Sequence, residues 1–517
     1  MSFMQGTTVE TELKLEIDPA DSDKLRRHPV IEELVDGKPE QDELTEIYFD
    51  TPELDLRKRG AGLRVRKTRG QWIQTLKAGG SVKGGLHQRD EWETPVDGAV
   101  PALDRLALMV DADSSLSALL KQKSLADALQ PIFQVKVQRT TWNLRDGDSR
   151  IELVLDEGSV QREDQKVPVS EIELELKEGE PARLYAVALK LLDSVPLRLS
   201  NVSKAQRGYA LCRKEQRAPV KAAPVAFPPS PTIEDGLQAI VLNCLAQVQA
   251  NEVAVMESGH PESLHQMRVG LRRLRSALKL FEESVSCPED LQEELRWLGE
   301  SLGEARDWDV LSSSTLARAG GAGDASFPVL NAAMEEVVHG KREQVGTALR
   351  SPRYSRLMIS MFAWAMGKQW RDTPSRAAIE QLEAPLRAFA KTAVKLGHKR
   401  ILKRGRNIRS APPEELHRLR IAGKRNRYTV EFFASLYRQK RLRKYLDALS
   451  SMQDELGWRN DVSVGEGLLR RLETEKPEAA ASASYARGFL AAHVSGNKFN
   501  LRKTWKRFRK ADLPRLR

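Results

Sequence analysis

Over roughly the first 180 residues, apolar and polar side chains alternate in short runs rich in β-branched and aromatic residues. Alternation at period two puts every second residue on one face of a strand. Runs near residues 8–16, 44–50, 62–69, 71–78, 86–94, 132–145, 148–158 and 169–177 predict strands, interrupted by helical stretches near 102–130 and 181–194. Eight strands are enough to close a barrel. Residues 221–231 then read K-A-A-P-V-A-F-P-P-S-P, which continues neither helix nor central strand, because proline lacks the N–H and fixes φ. Beyond it, apolar residues recur at helical spacing beneath long charged faces, as in residues 264–281 and 416–433. The pattern predicts an α+β chain with a strand-rich domain over 1–215, a proline-rich linker over 216–232 and an all-α domain over 233–517.

The helical part repeats itself. L-H-Q-M-R-V-G-L-R-R-L-R from Leu264 returns as L-H-R-L-R-I-A-G-K-R-N-R from Leu416, so His265 matches His417, Arg268 matches Arg420, Arg272 matches Lys424 and Arg275 matches Arg427. Further on, L-G-E-A-R-D-W-D-V from Leu302 is echoed by L-G-W-R-N-D-V-S-V from Leu456. Such self-similarity implies two related helical bundles about a pseudo-two-fold axis.

Charge changes this picture more than composition does. The net charge is +11, but residues 1–215 hold 32 Lys and Arg against 38 Asp and Glu, and the remainder 51 against 34. The basicity therefore lies in the helical part and points to a polyanionic partner. Cys212, Cys244 and Cys287 lie far apart without metal-ligand spacing, which suits a reducing compartment. No apolar run reaches the roughly 18 residues of a membrane span, and the N-terminus lacks a secretion signal, so a cytoplasmic location without membrane is expected.

Most of the expected strands carry a charged stripe. In V-E-T-E-L-K-L, Glu10, Glu12 and Lys14 share a face, followed by Arg64 and Arg66, Lys77, then Arg89, Glu91 and Glu93. Later strands add Arg139, Glu152 and Asp156, and Glu171, Glu173, Glu175 and Lys177. If the sheet closes with helices outside, these stripes face the lumen of a tunnel. So many desolvated ions are costly as mere structure, since each loses several kcal/mol of hydration. Surplus carboxylates suit a hard cation such as Mg²⁺, with Mn²⁺ a second choice, and clustered Arg and Lys suit the oxygens of a linear phosphate chain.

E-x-E-x-K at Glu10, L-R-V-R at Leu63, E-I-E-L-E at Glu171 and S-K-A-Q-R-G-Y at Ser203 resemble the CYTH family of triphosphate tunnel metalloenzymes over residues 7–210. The resemblance implies an eight-stranded antiparallel tunnel that hydrolyses triphosphate compounds with a divalent metal. Glu10, Glu12, Glu171 and Glu173 would then be metal ligands, with Asp156 and Glu152 as additions. Lys14, Arg64, Arg66, Lys77, Arg89 and Arg139 would hold phosphate oxygens, with Glu10, Glu12 and Lys14 the catalytic core and Lys204 and Arg207 closing one end. Tripolyphosphate is the expected substrate, because no aromatic cluster for a base stands in the stripes. Cyclisation of ATP, hydrolysis of thiamine triphosphate and binding without turnover are the alternatives.

On the helical side, His265, Arg268, Arg272 and Arg275 form a stripe opposite Met267, Leu271, Leu274 and Leu278, and the second copy repeats it with His417, Arg420, Lys424 and Arg427. Two such stripes facing one groove would produce the field a phosphate chain requires. The LHxxR and LGxxRDxD patterns resemble the CHAD domain over roughly 233–510, which implies polyphosphate binding; feeding substrate to the tunnel, tethering to polyphosphate granules and regulation are alternative roles for it. Asn460 and Ser463 stand where the first copy has Arg306 and Asp309, so the halves need not contribute equally. Nucleic acid is the second choice of partner, since the basic faces lack interleaved aromatics.

Overall fold

The structure is a computed structural model that describes residues 8–68, 70–213, 218–319, 327–372, 375–496 and 498–517. The chain divides into two compact units, Met1–Arg217 with Met358–Gly367, and Ala218–Leu357 with Lys368–Arg517.

In the first unit, eight antiparallel strands close into a barrel: β1 (Thr8–Ile17), β2 (Glu40–Asp50), β3 (Gly62–Thr68), β4 (Gln71–Lys83), β5 (Leu86–Val96), β6 (Gln130–Asp146), β7 (Ser149–Arg162) and β8 (Gln165–Glu178). Their order is β5-β4-β3-β2-β6-β7-β8-β1, and β1 pairs with β5 to shut the ring. A ninth short strand that the alternation does not reveal, β9 (Leu197–Leu199), pairs with the end of β1 that β5 leaves open. The β6–β7 hairpin turns at Asp146-Gly147-Asp148, where Gly147 has φ 61°, as a tight hairpin requires.

Alternation decides which residues face outward. Leu63, Val65, Leu76 and Trp92 are buried in one apolar cluster with Leu103, Leu106, Leu119 and Leu125 from α1 (Leu103–Ala107), α2 (Ser115–Leu120) and α3 (Lys123–Ala128). With these helices on the outer face, the opposite face carries the charged stripes into the lumen. Helix α4 (Ala182–Leu191) contributes Tyr185, whose hydroxyl donates to the Gly84 carbonyl at 3.1 Å. Met358–Gly367, expected in the helical part, groups with this unit: Phe362 stacks on Tyr185 at 6.1 Å between ring centroids, beside Gly84.

One end of the barrel is plugged by α5 (Lys204–Cys212). Its start is fixed by a capping box in which the Ser203 hydroxyl accepts from the Gln206 N–H and the Gln206 side chain accepts from the Ser203 N–H. Tyr209 of this helix is buried with Tyr48, Phe133, Val135, Val137, Val160 and Val169. The edge of Tyr209 meets Phe133 at 5.3 Å, and its hydroxyl donates to Asp50 at 3.2 Å. Gly208 permits the approach, since a Cβ there would stand 2.2 Å from the Phe133 ring.

The second unit is helical. Its first helix, α6 (Ile233–Ala250), is capped by Thr232 and Asp235. Contrary to the sequence expectation, the stretch Ile233–Ser258 is long and apolar enough by composition to cross a membrane, with a mean hydropathy of 1.3 in an 18-residue window. Of that window 61% is buried inside the structure, as in a core helix of a helical bundle. The repeat falls on α7 (Pro261–Leu280) with α8 (Glu289–Val310), and on α10 (Pro413–Phe432) with α11 (Gln439–Glu475), and α7 packs against α10. Helix α9 (Leu386–Arg404) packs against α10, and its buried residues are Leu386, Ala390, Val394, His398 and Ile401.

Candidate active site

Strand register determines which charges meet in the lumen. Lys14 on β1 stands opposite Glu173 on β8, and Glu16 opposite Glu171. On the other edge of β1, Glu10 stands opposite Arg89 and Glu12 opposite His87. Asp156 on β7 lies between Arg139 on β6 and Glu171 on β8.

Asp156, Glu171 and Glu173 converge, each offering a carboxylate oxygen within 4.8 Å of the others. Four cations hold them. Lys204 Nζ lies 2.7 Å from Asp156, 2.5 Å from Glu171 and 2.9 Å from Glu173. Arg139 forks onto Asp156 at 2.8 and 2.6 Å. Lys14 pairs with Glu173 and lies 2.8 Å from Glu12. Arg207 adds a contact to Glu171 at 2.9 Å. Glu12, Lys14, Asp156, Glu171 and Lys204 are all buried.

Adjacent carboxylates respond differently to this field. Burial raises Glu171, and Glu173 beside it adds to the rise. Glu173 is buried too, yet Lys14, Lys204 and Arg139 hold it well below the ordinary carboxylate range. Burial pushes Glu10 up to about 7, reinforced by Glu12 and Glu91 and opposed by its partner Lys77.

Toward β2–β5 the balance turns basic. Arg64 pairs with Glu46 at 2.7 Å, and Arg66 with Glu93 at 3.3 Å. The Nε atoms of both arginines are buried without a hydrogen-bond partner, donors in search of an acceptor. Lys77 pairs with Glu10 and lies 3.4 Å from Glu91.

Of the predicted site residues, Lys14, Arg139, Asp156, Glu171 and Glu173 thus meet in one cluster, with Glu10 and Glu12 on lysine pairs beside it rather than within it. Two lumen residues escape the sequence reading. Glu46 is buried, and although burial opposes ionisation, Arg64 and Arg66 bring its pKa down to about 2. On its face it is flanked by Leu44 and Tyr48, so no unbroken charged stripe announces it; only the period marks its face. His87 lies two residues before Arg89 in the same alternation. Its Nε2 lies 3.2 Å from the Ser200 carbonyl, an acceptor only, so that nitrogen carries the hydrogen and Nδ1 is left buried and unpartnered beside Glu12.

The donor set fits a hard divalent cation: three carboxylates converge, and lysine ammonium groups fill the space between them as cations. Asp156, Glu171 and Glu173 would hold such an ion directly, with Glu12 across Lys14 from Glu173.

In the helical unit, His265, Arg268, Arg272 and Arg275 line a groove of about 1740 Å³ together with Arg420, Lys424 and Arg427 from the second copy. The Nε atoms of Arg272, Arg306 and Arg420 are buried there without hydrogen-bond partners. Arg268 lies 3.1 Å from Asp307, and its counterpart Arg420 lies 4.0 Å from Asp461. Burial, with Arg306 and Arg272 nearby, lowers His265 to about 4; burial, with Arg272 and Arg420 nearby, lowers Lys424 to about 7. His417 stays exposed outside the lining. Its Nδ1 lies 3.2 Å from Asn460 Oδ1, the residue that replaces Arg306, so the two halves differ at this point.

The CYTH domain family matches residues 8–209, and the CHAD domain family matches residues 239–470. A relative in Haemophilus influenzae named inorganic triphosphatase is 33% identical over 173 residues, which are 33% of this chain and 47% of that protein. The chain therefore spans about half the length of that relative. An uncharacterized protein of Mycobacterium tuberculosis is 28% identical over 425 residues, 77% of each chain. The crystal structure of the CHAD domain from the plant Ricinus communis is 40% identical, covers 58% of this chain and all of its own, and superposes with a TM-score of 0.53.

Proposed function

The chain belongs to the CYTH family through residues 8–209 and to the CHAD family through residues 239–470, and from that premise we propose that its barrel hydrolyses inorganic triphosphate to pyrophosphate and phosphate. The observation that carries this reading is the buried convergence of Asp156, Glu171 and Glu173 with Lys14, Arg139 and Lys204 in one closed barrel. The triphosphatase name of the Haemophilus relative supports it.

Asp156, Glu171 and Glu173 would hold Mg²⁺ or Mn²⁺, with Glu12 and Glu10 close by on their lysine pairs. The ion, when bound, neutralises phosphate charge and makes a water a better nucleophile. Arg64 and Arg66, with their unpartnered Nε donors, and Lys77, Arg89 and Arg139 bind phosphate oxygens and align the chain along the lumen. Lys14 and Lys204 favour the ionised form of Glu173, and Lys14 that of Glu12, before substrate enters. Phosphoryl transfer asks little covalent chemistry of a protein, so positioning and charge stabilisation supply most of the acceleration. The plug formed by α5 and Tyr209 shuts out bulk water at one end, so substrate enters and products leave by the other.

The helical unit binds polyphosphate in its groove, where Arg272, Arg306 and Arg420 offer buried donors without acceptors. The test is phosphate release from tripolyphosphate by the full chain, with and without Mg²⁺. Glu12→Ala and Glu173→Ala should each lower metal-dependent release by about 100-fold or more, the scale of losing one element of transition-state charge stabilisation. Full activity in either variant would refute the assignment, and a cyclic product from ATP would move the proposal to nucleotide cyclisation.

A further inference from the structure

The basic surface of the helical unit does not stop at the groove. Arg425 lines the groove, and Arg404, at the end of α9, lies within the field of Arg425, Arg400 and Arg418. Arg404 Nη1 donates to the Arg418 carbonyl at 2.7 Å, which ties the end of α9 to the first turns of α10. Arg400, Arg404 and Arg418 are exposed, and none of them lines the groove. Burial and these neighbouring arginines together lower the Arg404 pKa, as expected of cations crowded without a counterion.

Sequence explains the crowding. Between Glu383 and Glu414 the chain carries nine lysines and arginines and no acidic residue. The buried face of α9 carries no lysine or arginine, so these residues are left to solvent. The acidic contact within this group is Glu415 with Arg418 at 3.9 Å, both exposed, and such a pair contributes little.

Resting on the polyphosphate reading of the groove, we propose that Arg400, Arg404 and Arg418 form a ramp that carries a long inorganic polyphosphate onward from Arg425 after it leaves the groove. The occupant is argued from continuity: a thin, flexible chain already held at Arg272 and Arg425 reaches the ramp without a new encounter, so its second contact is intramolecular. A stiff duplex bends only at a cost and meets the ramp alone. Affinity should therefore grow with chain length beyond what the groove accommodates.

The experiment compares the full chain with Arg400→Gln/Arg404→Gln and with Arg272→Ala, against a short polyphosphate, one many times longer, and duplex DNA, across a salt series. The ramp variant should lose about tenfold affinity for the long polymer and under about twofold for the short one. Its slope of log affinity against log salt for the long polymer should flatten by about 1.4, two lost contacts at about 0.7 each for a single strand. Arg272→Ala should weaken both polymers. If Arg272→Ala weakens both and the ramp variant weakens neither, or both equally, the ramp is refuted and the groove stands. If Arg272→Ala changes neither, the groove reading falls and the ramp, as its continuation, with it. If duplex DNA displaces the long polymer and the ramp variant loses the duplex, the surface belongs to nucleic acid and the proposal is overturned.

Discussion

Lys204 reaches from the helix that plugs the barrel to within 2.7 Å of Asp156, and the same ammonium serves Glu171 and Glu173. One cation thereby serves three carboxylates, and Arg139, Lys14 and Arg207 provide the remainder. Removing it leaves buried negative charge unmatched, which costs about 3–5 kcal/mol. Lys204→Ala should accordingly melt well below the parent without divalent ions. Because a bound divalent cation would take over the compensation, Mg²⁺ or Mn²⁺ should raise the melting temperature of Lys204→Ala more than that of the parent. A smaller rise in the variant would count against the carboxylates as a metal site.

Glu46 is expected to act as a positioning residue, since it holds Arg64 at 2.7 Å and accepts from the Tyr48 hydroxyl at 3.4 Å. Glu46→Gln keeps the shape and removes the charge that fixes the Arg64 guanidinium. With Arg64 free to swing, triphosphate binding should loosen before the chemical step suffers, so KM should rise about tenfold and kcat change less. Steady-state kinetics separates the two parameters, and a drop confined to kcat would contradict the positioning role.

The barrel was readable because its period and its charge agree. Glu10, Glu12 and Lys14, or Glu171 and Glu173, fall on alternate positions beside apolar neighbours, and the opposite faces need helices to cover them. Glu46 and His87 obey the same alternation, but Glu46 is flanked on its face by Leu44 and Tyr48, and His87 sits at the end of the stripe of Arg89, Glu91 and Glu93 without a formal charge to mark it. β9 is three residues long, too short to display any period. The segment Met358–Gly367 falls within the helical part by sequence, while the Phe362 ring lies over Gly84 of the barrel unit, a contact that no local pattern announces. In the repeat, matching by offset paired His417 with His265, but the environment of each depends on Arg306 or Asn460 from another helix.

Gly208 is the tightest point of the plug. An added Cβ would lie 2.2 Å from the Phe133 ring, which is itself stacked on Tyr48 at 4.6 Å and cannot retreat freely. Gly208→Ala should therefore destabilise the barrel by about 1–3 kcal/mol despite the better helix propensity of alanine. Chemical denaturation followed by tryptophan fluorescence would measure it, and an unchanged or higher midpoint would show that α5 does not seal the end as described.

Lys424 couples the groove to pH. Burial, with Arg272 and Arg420 nearby, depresses its pKa from 10.5 to about 7, so between those values the unfolded chain holds a proton that the folded unit has released. Stability of the helical unit should rise with pH across that window, the full penalty of charging Lys424 being present below about 7. Binding reverses the sign. A phosphate chain beside the ammonium raises its pKa again, so the bound state holds more protons, and affinity should fall as pH climbs from 7 toward 9. Calorimetry at pH 8 in two buffers of different ionisation enthalpy should register proton uptake on binding of long-chain polyphosphate. Lys424→Met should abolish that uptake and flatten the pH dependence. Equal affinity of the parent protein at pH 7 and pH 9 would mean that Lys424 does not face the bound anion.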